Sequence, residues 1–247
     1  MIHVKSEKEI DLMREPCKIV RDTLEFVQSK IQAGMSTKEI DELVERYIRS
    51  AGAYPSCLGY GGFPASACVS VNEMVVHGIP NDRILKEGDI VSVDLCAYKN
   101  GYHGDACRTF CIGEVSKEVK KLVEVTEECF FKAIEGLRAG TPLYDIGYRV
   151  QKHAESHGYG VIRSYTGHGI GKEMHEDPSV PNYGKLGTGT RLRAGTVICV
   201  EPMIAMGDWR VALLDDGWGA VTVDGKPAAH YENTLVVRED GVEILTL

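Results

Sequence analysis

The sequence contains no long hydrophobic run, and this absence argues against a protein that spans a membrane. Its longest apolar stretches, such as TVICV and DIVSVDL, are far shorter than the roughly 20 residues that cross a bilayer as a helix. The first residues, MIHVKSEKEIDLMREPCK, alternate charged and apolar side chains and lack the apolar core of a secretory signal. We therefore expect a cytoplasmic protein with no membrane partner.

Dense clusters of basic residues are also missing. The 247 residues include 28 Lys and Arg against 36 Asp and Glu, a formal net charge of -8, so no surface that follows a phosphate backbone is predicted. A direct role with nucleic acid is not expected. Because 43% of the residues are hydrophobic, the chain can bury a sizeable core, and disorder is excluded.

Closely spaced cysteine pairs are absent as well. The eight cysteines include no CxxC motif, and most lie in apolar segments where a thiol packs as a small hydrophobic group. Cys107 and Cys111 would share one side of a strand, but a single CxxxC is a weak signal for a metal. Reduced core cysteines are the favoured interpretation.

A pair of segments with helical periodicity occurs twice in the chain, and each pair precedes strand-like segments. Residues 6 to 31 and a second segment from Ser36 carry apolar side chains every three or four positions, and each begins with a Ser-x-x-Glu capping box. Residues 119 to 137 and 141 to 154 repeat the pattern. Aligning the segments matches Ala33 with Ala139, and aligning the following strands matches Asp94 with Glu201.

This internal repeat predicts an α+β fold built from two similar halves. We place the halves at about residues 6–112 and 113–247 within a single catalytic domain, 1–247. If the halves pack around a shared centre, Asp94 and Glu201 approach each other across a pseudo-twofold axis. Their distance in sequence is then no obstacle to a joint site.

Two aspartates are predicted to face one point from neighbouring strands. Asp94 ends the alternating strand DIVSVDL, and Asp105 begins GDACRTFCI after a Gly-containing turn that suits a hairpin. Two buried carboxylates repel each other unless a positive charge lies between them. Alternation sends Arg108 to the opposite face from Asp105, so a metal cation is the simpler partner.

Three further side chains complete an oxygen-rich set of metal ligands: His168 in TGHGIG, Glu201 in EPM and Glu232 in HYENT. Four carboxylates and one imidazole suit manganese, iron, cobalt or zinc, and are numerous enough to bridge two ions. Two-metal sites of this kind support hydrolysis.

Most of the histidines have no context beyond a helix or loop surface, and we interpret these as structural: His3, His103, His153, His157 and His230. His77 in VVHGIP and His175 in EMHEDP differ, because they lie in Gly- or Pro-containing loops where an imidazole can reach a substrate.

Taken in order, the segments VVHGIP, GDIVSVDL, GYHGDACRTF, TGHGIG, EMHEDP, EPM and HYENT resemble the signatures of type I methionine aminopeptidases, in metallopeptidase family M24. The likeness runs nearly end to end and matches the short form typical of bacteria. It implies a pseudo-symmetric "pita-bread" fold, in which helices cover a curved antiparallel sheet.

The resemblance also implies a ligand set for two divalent ions, which could be cobalt, manganese, iron, zinc or nickel, with room for an additional monovalent cation. Asp94 would chelate one ion, Asp105 and Glu232 would bridge both, and His168 and Glu201 would complete the coordination of the second ion. The free amine of the substrate would bind a metal.

The implied catalytic residues are His77, His175 and Glu201. Glu201 would also shuttle a proton, His175 would stabilise the gem-diolate, and His77 would lie near the scissile amide. The methionine side chain would fill a pocket lined by Cys57, Tyr60, Phe63, Cys68 and Trp218. The sequence departs from the family pattern at Met174, where many bacterial members have an aromatic residue, and at Phe63, where some have Tyr.

The expected function is removal of the initiator methionine from nascent chains whose second residue is small, with the ribosome as a place of action and a monomer as the active form. Three alternatives remain at this point. An X-Pro aminopeptidase or prolidase has similar ligands but usually an added N-terminal domain. A binding protein that has lost catalysis would generally lose ligands, and a mononuclear iron oxygenase would need only His168, His175 and one acid.

Overall fold

The computed structural model describes residues 2–247. Its helices are α1 (Glu7–Gln28), α2 (Thr37–Ser50), α3 (Lys117–Ile134) and α4 (Tyr144–Ser156), with one 3-10 turn at Tyr60–Gly62. The strands are β1 (Tyr54–Pro55), β2 (Cys68–Val71), β3 (Met74–Val76), β4 (Ile90–Lys99), β5 (Tyr102–Cys111), β6 (Gly160–Val161), β7 (Gly167–Gly169), β8 (Glu176–Val180), β9 (Val197–Val200), β10 (Met203–Ala205), β11 (Val211–Leu213), β12 (Ala220–Thr222), β13 (Ala228–His230), β14 (Glu232–Val237) and β15 (Val242–Ile244).

The first two helices begin as their sequences predict. The hydroxyls of Ser6 and Ser36 each accept a hydrogen bond from the backbone N–H three residues later. The carboxylates of Glu9 and Glu39 in turn accept a hydrogen bond from the backbone N–H of these serines. The predicted end of α1 near residue 31 is wrong, because the helix ends at Gln28 and the chain then turns. Apolar spacing alone does not show where the last helical hydrogen bond is made.

The hairpin predicted around Asp94 and Asp105 is present as β4 and β5. Asp94 lies opposite Cys107, and Asp105 lies opposite Cys96. Since alternate residues of a strand share a face, both aspartates lie on the same face of the hairpin, offset along it by two residues. Asn100 and Gly101 form the turn, each with a positive φ.

The main sheet has nine antiparallel strands in the order β1-β4-β5-β14-β9-β7-β8, with β2 added at β4 and β15 at β14. The strands that lead to Asp94 and Glu201, β4 and β9, flank the central pair β5 and β14. The two-half repeat remains a prediction with which this order is compatible. Two three-stranded sheets, β13-β10-β6 and β11-β12-β3, cover the rest.

Two hydrophobic clusters hold the helices against the sheet. One contains Val20 and Leu24 of α1 with Val91, Val93 and Leu95 of β4, and the other packs α3 and α4 against β9 and β14. The α+β architecture, with helices over a curled antiparallel sheet, is confirmed. Within residues 2–247, no helix is both long and apolar enough to serve as a membrane span.

A buried ion pair ties the N-terminal segment to the loop that carries His175. Lys5, whose side chain is only 2% exposed, places Nζ 2.6 Å from Oε2 of Glu176. Burial alone would raise the pKa of Glu176, but hydrogen bonding and the charge of Lys5 outweigh it and lower the pKa. The pair therefore stabilises the charged form of Glu176 in the folded protein.

We expect Lys5→Met to lower the free energy of unfolding at pH 7 by about 3 kcal/mol, because it leaves Glu176 charged and without its partner. A lowered carboxylate pKa contributes stability above the unfolded value of about 4.3, and this contribution disappears as pH falls through the folded value. The reduction in the free energy of unfolding caused by Lys5→Met should therefore be smaller near pH 4 than at pH 7. Urea unfolding at both pH values measures it, with the exposed Lys8→Met as the control. An equal loss at both pH values would contradict the assignment.

Candidate metal centre and active site

A single cavity of about 360 Å³ gathers the side chains that the sequence singles out. Its lining includes Cys57, Tyr60, Phe63, Cys68, His77, Asp94, Asp105, His168, His175, Glu201, Trp218 and Glu232. The lining contains two groups of side chains that differ in chemistry. Carboxylates cluster with His168, while Cys57, Phe63, Cys68 and Trp218 pack together.

Sheet register explains why carboxylates so distant in sequence converge. Cys107 of β5 pairs with Asp94 on one side and with Glu232 on the other, so both acids lie beside it. Asp105 lies two residues from Cys107 on the same face. Glu201 directly follows β9, which pairs with β14, and this brings the fourth carboxylate to the same face of the sheet.

The tightest part of the cluster contains Asp105, His168, Cys199 and Glu232, which each offer one donor atom within 4.8 Å of the others. Nε2 of His168 lies 3.5 Å from Oε1 of Glu201 and 3.8 Å from Oδ2 of Asp105. Asp94 is less buried and borders the same cavity. Four of the five predicted ligand residues thus lie within a few ångströms of His168 or are His168 itself, and Asp94 lines the same cavity.

The protein by itself does not satisfy these buried acids. Oδ1 of Asp105 and Oε1 of Glu232 have no hydrogen-bond partner, although these residues are only 5% and 2% exposed. Burial raises the pKa of Asp94 to about 7, and burial with the neighbouring acids raises those of Asp105, Glu201 and Glu232 well above their usual range. Divalent cations fit this set, because they would neutralise the repulsion and occupy the unpaired oxygens.

Cys199 joins the cluster although the sequence places it among ordinary core cysteines. Burial and the nearby acids raise the pKa of the Cys199 thiol well above its usual value, and Sγ lies 3.5 Å from Oγ1 of Thr234. A thiol kept protonated is a poor metal ligand, since the thiolate is the ligating form. The geometry favours the carboxylates and His168 over Cys199.

His77 and His175 both border the cavity beside aromatic rings. Nδ1 of His175 lies 2.7 Å from the hydroxyl of Tyr60, and its ring centroid lies 4.3 Å from that of His168. His77 packs edge-on against Tyr165 at 5.2 Å and adopts a φ of 58°, an uncommon conformation outside glycine. Burial lowers the pKa of both imidazoles, which favours their neutral forms at pH 7.

The apolar end of the cavity is built around one aromatic pair. Phe63 and Trp218 meet edge to face at a centroid distance of 5.1 Å, with Cys57 and Cys68 beside them. Met174, which the sequence marks as a departure, is 5% exposed and also borders the cavity. Sulfur and aromatic groups make a polarizable surface that suits a flexible thioether side chain.

His230 is the main site residue that the sequence reasoning missed. The sequence predicts a structural role for it, yet it is 2% exposed, borders the cavity, and places an unpaired Nε2 3.8 Å from Oε2 of Glu201. The usable signal in the sequence is proximity, because His230 lies only two residues before the predicted ligand Glu232. The ring also borders a second cavity of about 320 Å³ beside Arg108.

Arg108 points away from the carboxylates, as alternation predicts. Its guanidinium donates hydrogen bonds to the carbonyl oxygens of Cys107 and Glu232 and to Oδ1 of Asn233, and it stacks 4.3 Å from the Tyr231 ring. It therefore binds β5 to β14 from behind the cluster rather than neutralising it. This contact holds the backbone that carries Glu232.

Comparisons with known proteins agree with this geometry. Residues 11–239 match the model of metallopeptidase family M24. The chain is 52% identical to the methionine aminopeptidase of Clostridium acetobutylicum, over 100% of this chain and 99% of that protein. It superposes on the crystal structure of methionine aminopeptidase from Thermotoga maritima with a TM-score of 0.98 at 46% identity, covering 100% and 99% of the two chains.

The fold also extends to proteins of a related specificity. An X-Pro aminopeptidase from Thermotoga maritima superposes with a TM-score of 0.78 at 27% identity, over 99% of this chain but 62% of that one. Both the identity and the coverage are lower than for the methionine aminopeptidases. In sequence and in coverage, this chain is therefore more similar to the methionine aminopeptidases than to the X-Pro aminopeptidase.

Proposed function

We infer the function from the family, since the chain belongs to metallopeptidase family M24 and within it to the methionine aminopeptidases. On this premise, it removes the N-terminal methionine from newly made polypeptides by metal-dependent hydrolysis. The observation that carries the proposal is one cavity lined by two groups of side chains, a cluster of carboxylates with His168 and an apolar group that contains aromatic rings and thiols. The first group suits hydrolysis, and the second suits a methionine side chain.

The metal ligands that we propose are Asp94, Asp105, His168, Glu201 and Glu232. Their number and the two unpaired buried oxygens, on Asp105 and Glu232, support a pair of divalent cations that these side chains would hold. Cations held there would supply a water of lowered pKa and polarise the scissile carbonyl. Cobalt, manganese, iron, zinc and nickel all suit such ligands.

Glu201 is the residue that we assign to proton transfer. It takes the proton of the attacking water and passes it to the leaving amine. A carboxylate with a raised pKa is a stronger base than a free one, which favours uptake of a proton from water. Burial, together with the charges of Asp94 and Asp105, raises the pKa of Glu201.

His175 is placed to donate a hydrogen bond to the oxygen that gains charge during hydrolysis. If the Tyr60 hydroxyl donates to Nδ1 of His175 across their 2.7 Å contact, the ring proton resides on Nε2. The lowered pKa keeps the ring neutral, so this single N–H is the available donor. We assign His77, which also lines the cavity, to the scissile amide and the second residue of the substrate.

The apolar end sets the choice of side chain. We propose that Cys57, Tyr60, Phe63, Cys68 and Trp218 enclose the methionine thioether, and that crowding near His77 favours a small second residue. Substrates of this kind are the ends of nascent chains. We further propose that the protein acts in the cytoplasm, at or near the ribosome. Its active form is a monomer.

A parallel assay of two peptides tests the function. We expect the metal-loaded protein to release methionine from Met-Ala-Ser and to leave an Ala-Pro peptide uncut, because the sulfur-lined pocket selects the first side chain. Chromatography of the products measures both reactions. Faster cleavage of the Ala-Pro peptide would instead favour the X-Pro aminopeptidase alternative.

The two tryptophans provide a matched pair of variants for the same assay. Trp218→Ala removes apolar area that methionine would cover, and we expect kcat/KM for Met-Ala-Ser to fall about 10- to 100-fold, equivalent to roughly 1.5–3 kcal/mol. Trp209 stacks on Arg163 outside the cavity, so Trp209→Ala should leave the rate unchanged. Equal effects of both variants would count against the proposed pocket.

A further inference from the structure

The facing surfaces of α3 and α4 carry metal-binding side chains outside the active-site cavity. Glu128 lies on α3, while His153 lies on α4 and His157 follows one turn later at its C-terminal cap. One donor atom of each lies within 4.8 Å of the other two. None of the three borders the cavity that contains Asp105 and Glu232. We propose that they form a second metal site, the helix-pair site, which binds a divalent transition cation such as Zn²⁺.

The orientation of His157 is the first argument for this site. Its Nδ1 lies 3.0 Å from the backbone carbonyl oxygen of His153. A carbonyl oxygen can only accept a hydrogen bond, so the ring proton is on Nδ1 and Nε2 keeps a free lone pair. Metal-binding histidines commonly donate their other ring nitrogen to a carbonyl in this way. His157 is therefore held in the tautomer that a cation requires.

The contact between His153 and Glu128 is the second argument. Nε2 of His153 lies 2.8 Å from Oε2 of Glu128, so a proton lies between them when no cation is bound. A cation would replace this proton and bind both atoms. The rings of His153 and His157 are 4.7 Å apart between centroids. Zinc bonds of about 2.0–2.1 Å separate tetrahedral donors by about 3.3 Å, so a bound cation would draw these donors together from their present spacing of up to 4.8 Å.

The ligand chemistry indicates which cations would bind. Two imidazoles and one carboxylate favour zinc, nickel or copper over manganese or magnesium, which prefer oxygen. Lys132, Arg149 and Lys152 border the adjacent surface with His153, and their positive charge weakens binding. Because the ligands come from two helices, a bound cation would link α3 to α4 and stabilise the folded protein.

Calorimetric titration of the manganese-loaded protein with Zn²⁺, in excess Mn²⁺, tests the proposal. We compare the unmodified protein with the single variants His153→Gln, His157→Gln and Glu128→Gln. The control is Glu124→Gln, an exposed acid one turn earlier on α3. We expect one binding event to be weakened at least about tenfold in each of the three variants and retained in the control, since loss of even an outer-shell partner costs that much.

Thermal unfolding gives a second measurement on the same proteins. Zn²⁺ should raise the melting temperature of the unmodified protein and of Glu124→Gln more than that of His157→Gln. Identical Zn²⁺ titrations for all five proteins would overturn the proposal. Aminopeptidase activity should be the same in all of them under Mn²⁺, so failure of this site and failure of the proposed function are distinguishable.

Discussion

Replacing Glu201 with Gln is expected to lower kcat for Met-Ala-Ser by about 10²–10⁴-fold, the range typical of losing a positioned general acid and base. Gln keeps the shape of the side chain but can neither take a proton from water nor return one to the leaving amine. Steady-state kinetics measure the effect. The control is Glu42→Gln, an exposed acid on α2, which should leave kcat unchanged.

Metal content separates the two roles that we assign to Glu201. If the variant retains its metal and loses kcat, proton transfer is the lost function; if it also loses metal, the ligand role contributes. Misfolding is checked by unfolding without metal. Because burial raises the pKa of Glu201, its charge opposes folding at pH 7.5, and the metal-free variant should be at least as stable as the unmodified protein. Full activity in the variant would overturn both roles.

Removal of the metal ions is expected to reduce activity to background, and addition of Mn²⁺ is expected to restore it. The cation should also raise the free energy of unfolding, by about 2.7 kcal/mol when its free concentration is a hundred times the dissociation constant. Mn²⁺ is the appropriate probe, because the oxygen-rich cluster suits it better than the helix-pair site does. Peptide assays and thermal unfolding measure the two effects.

The pH dependence of this stabilisation follows from the buried acids. A carboxylate with a raised pKa contributes stability below its unfolded value, about 4, and this contribution is lost as pH rises through the folded value, about 7 for Asp94. The metal-free protein should therefore lose stability over this window. Mn²⁺ requires deprotonated ligands, so its stabilising effect should grow over the same window.

Melting temperatures at pH 5 and pH 7.5, with and without Mn²⁺, check this expectation. Asp105→Asn is the matched variant, because it removes the charge of a proposed ligand whose Oδ1 is buried and unpaired. It should lose most of the Mn²⁺ effect at pH 7.5. An Mn²⁺ effect that is equal at both pH values would show that the cation binds elsewhere.

Local patterns in the sequence determined the fold class and most of the candidate site. The capping boxes at Ser6 and Ser36 begin helices as predicted, since a cap depends only on residues within one turn. The β4–β5 hairpin has the predicted facing of Asp94 and Asp105, since alternation is a property of each strand. The motif order also indicated the family that the comparisons show.

Other features depend on distances that only the tertiary structure decides. The alternation of a single strand does not say that Glu232 lies beside Cys107, across from Asp94, because the register between β5 and β14 joins strands more than a hundred residues apart. The unpaired Nε2 of His230 and the contact between Tyr60 and His175 arise from packing across the sheet. The helix-pair site depends on the packing of α3 against α4, which brings Glu128 close to His153 and His157. Sequence periodicity thus determined which face each side chain occupies, while sheet register and helix packing decided which faces meet.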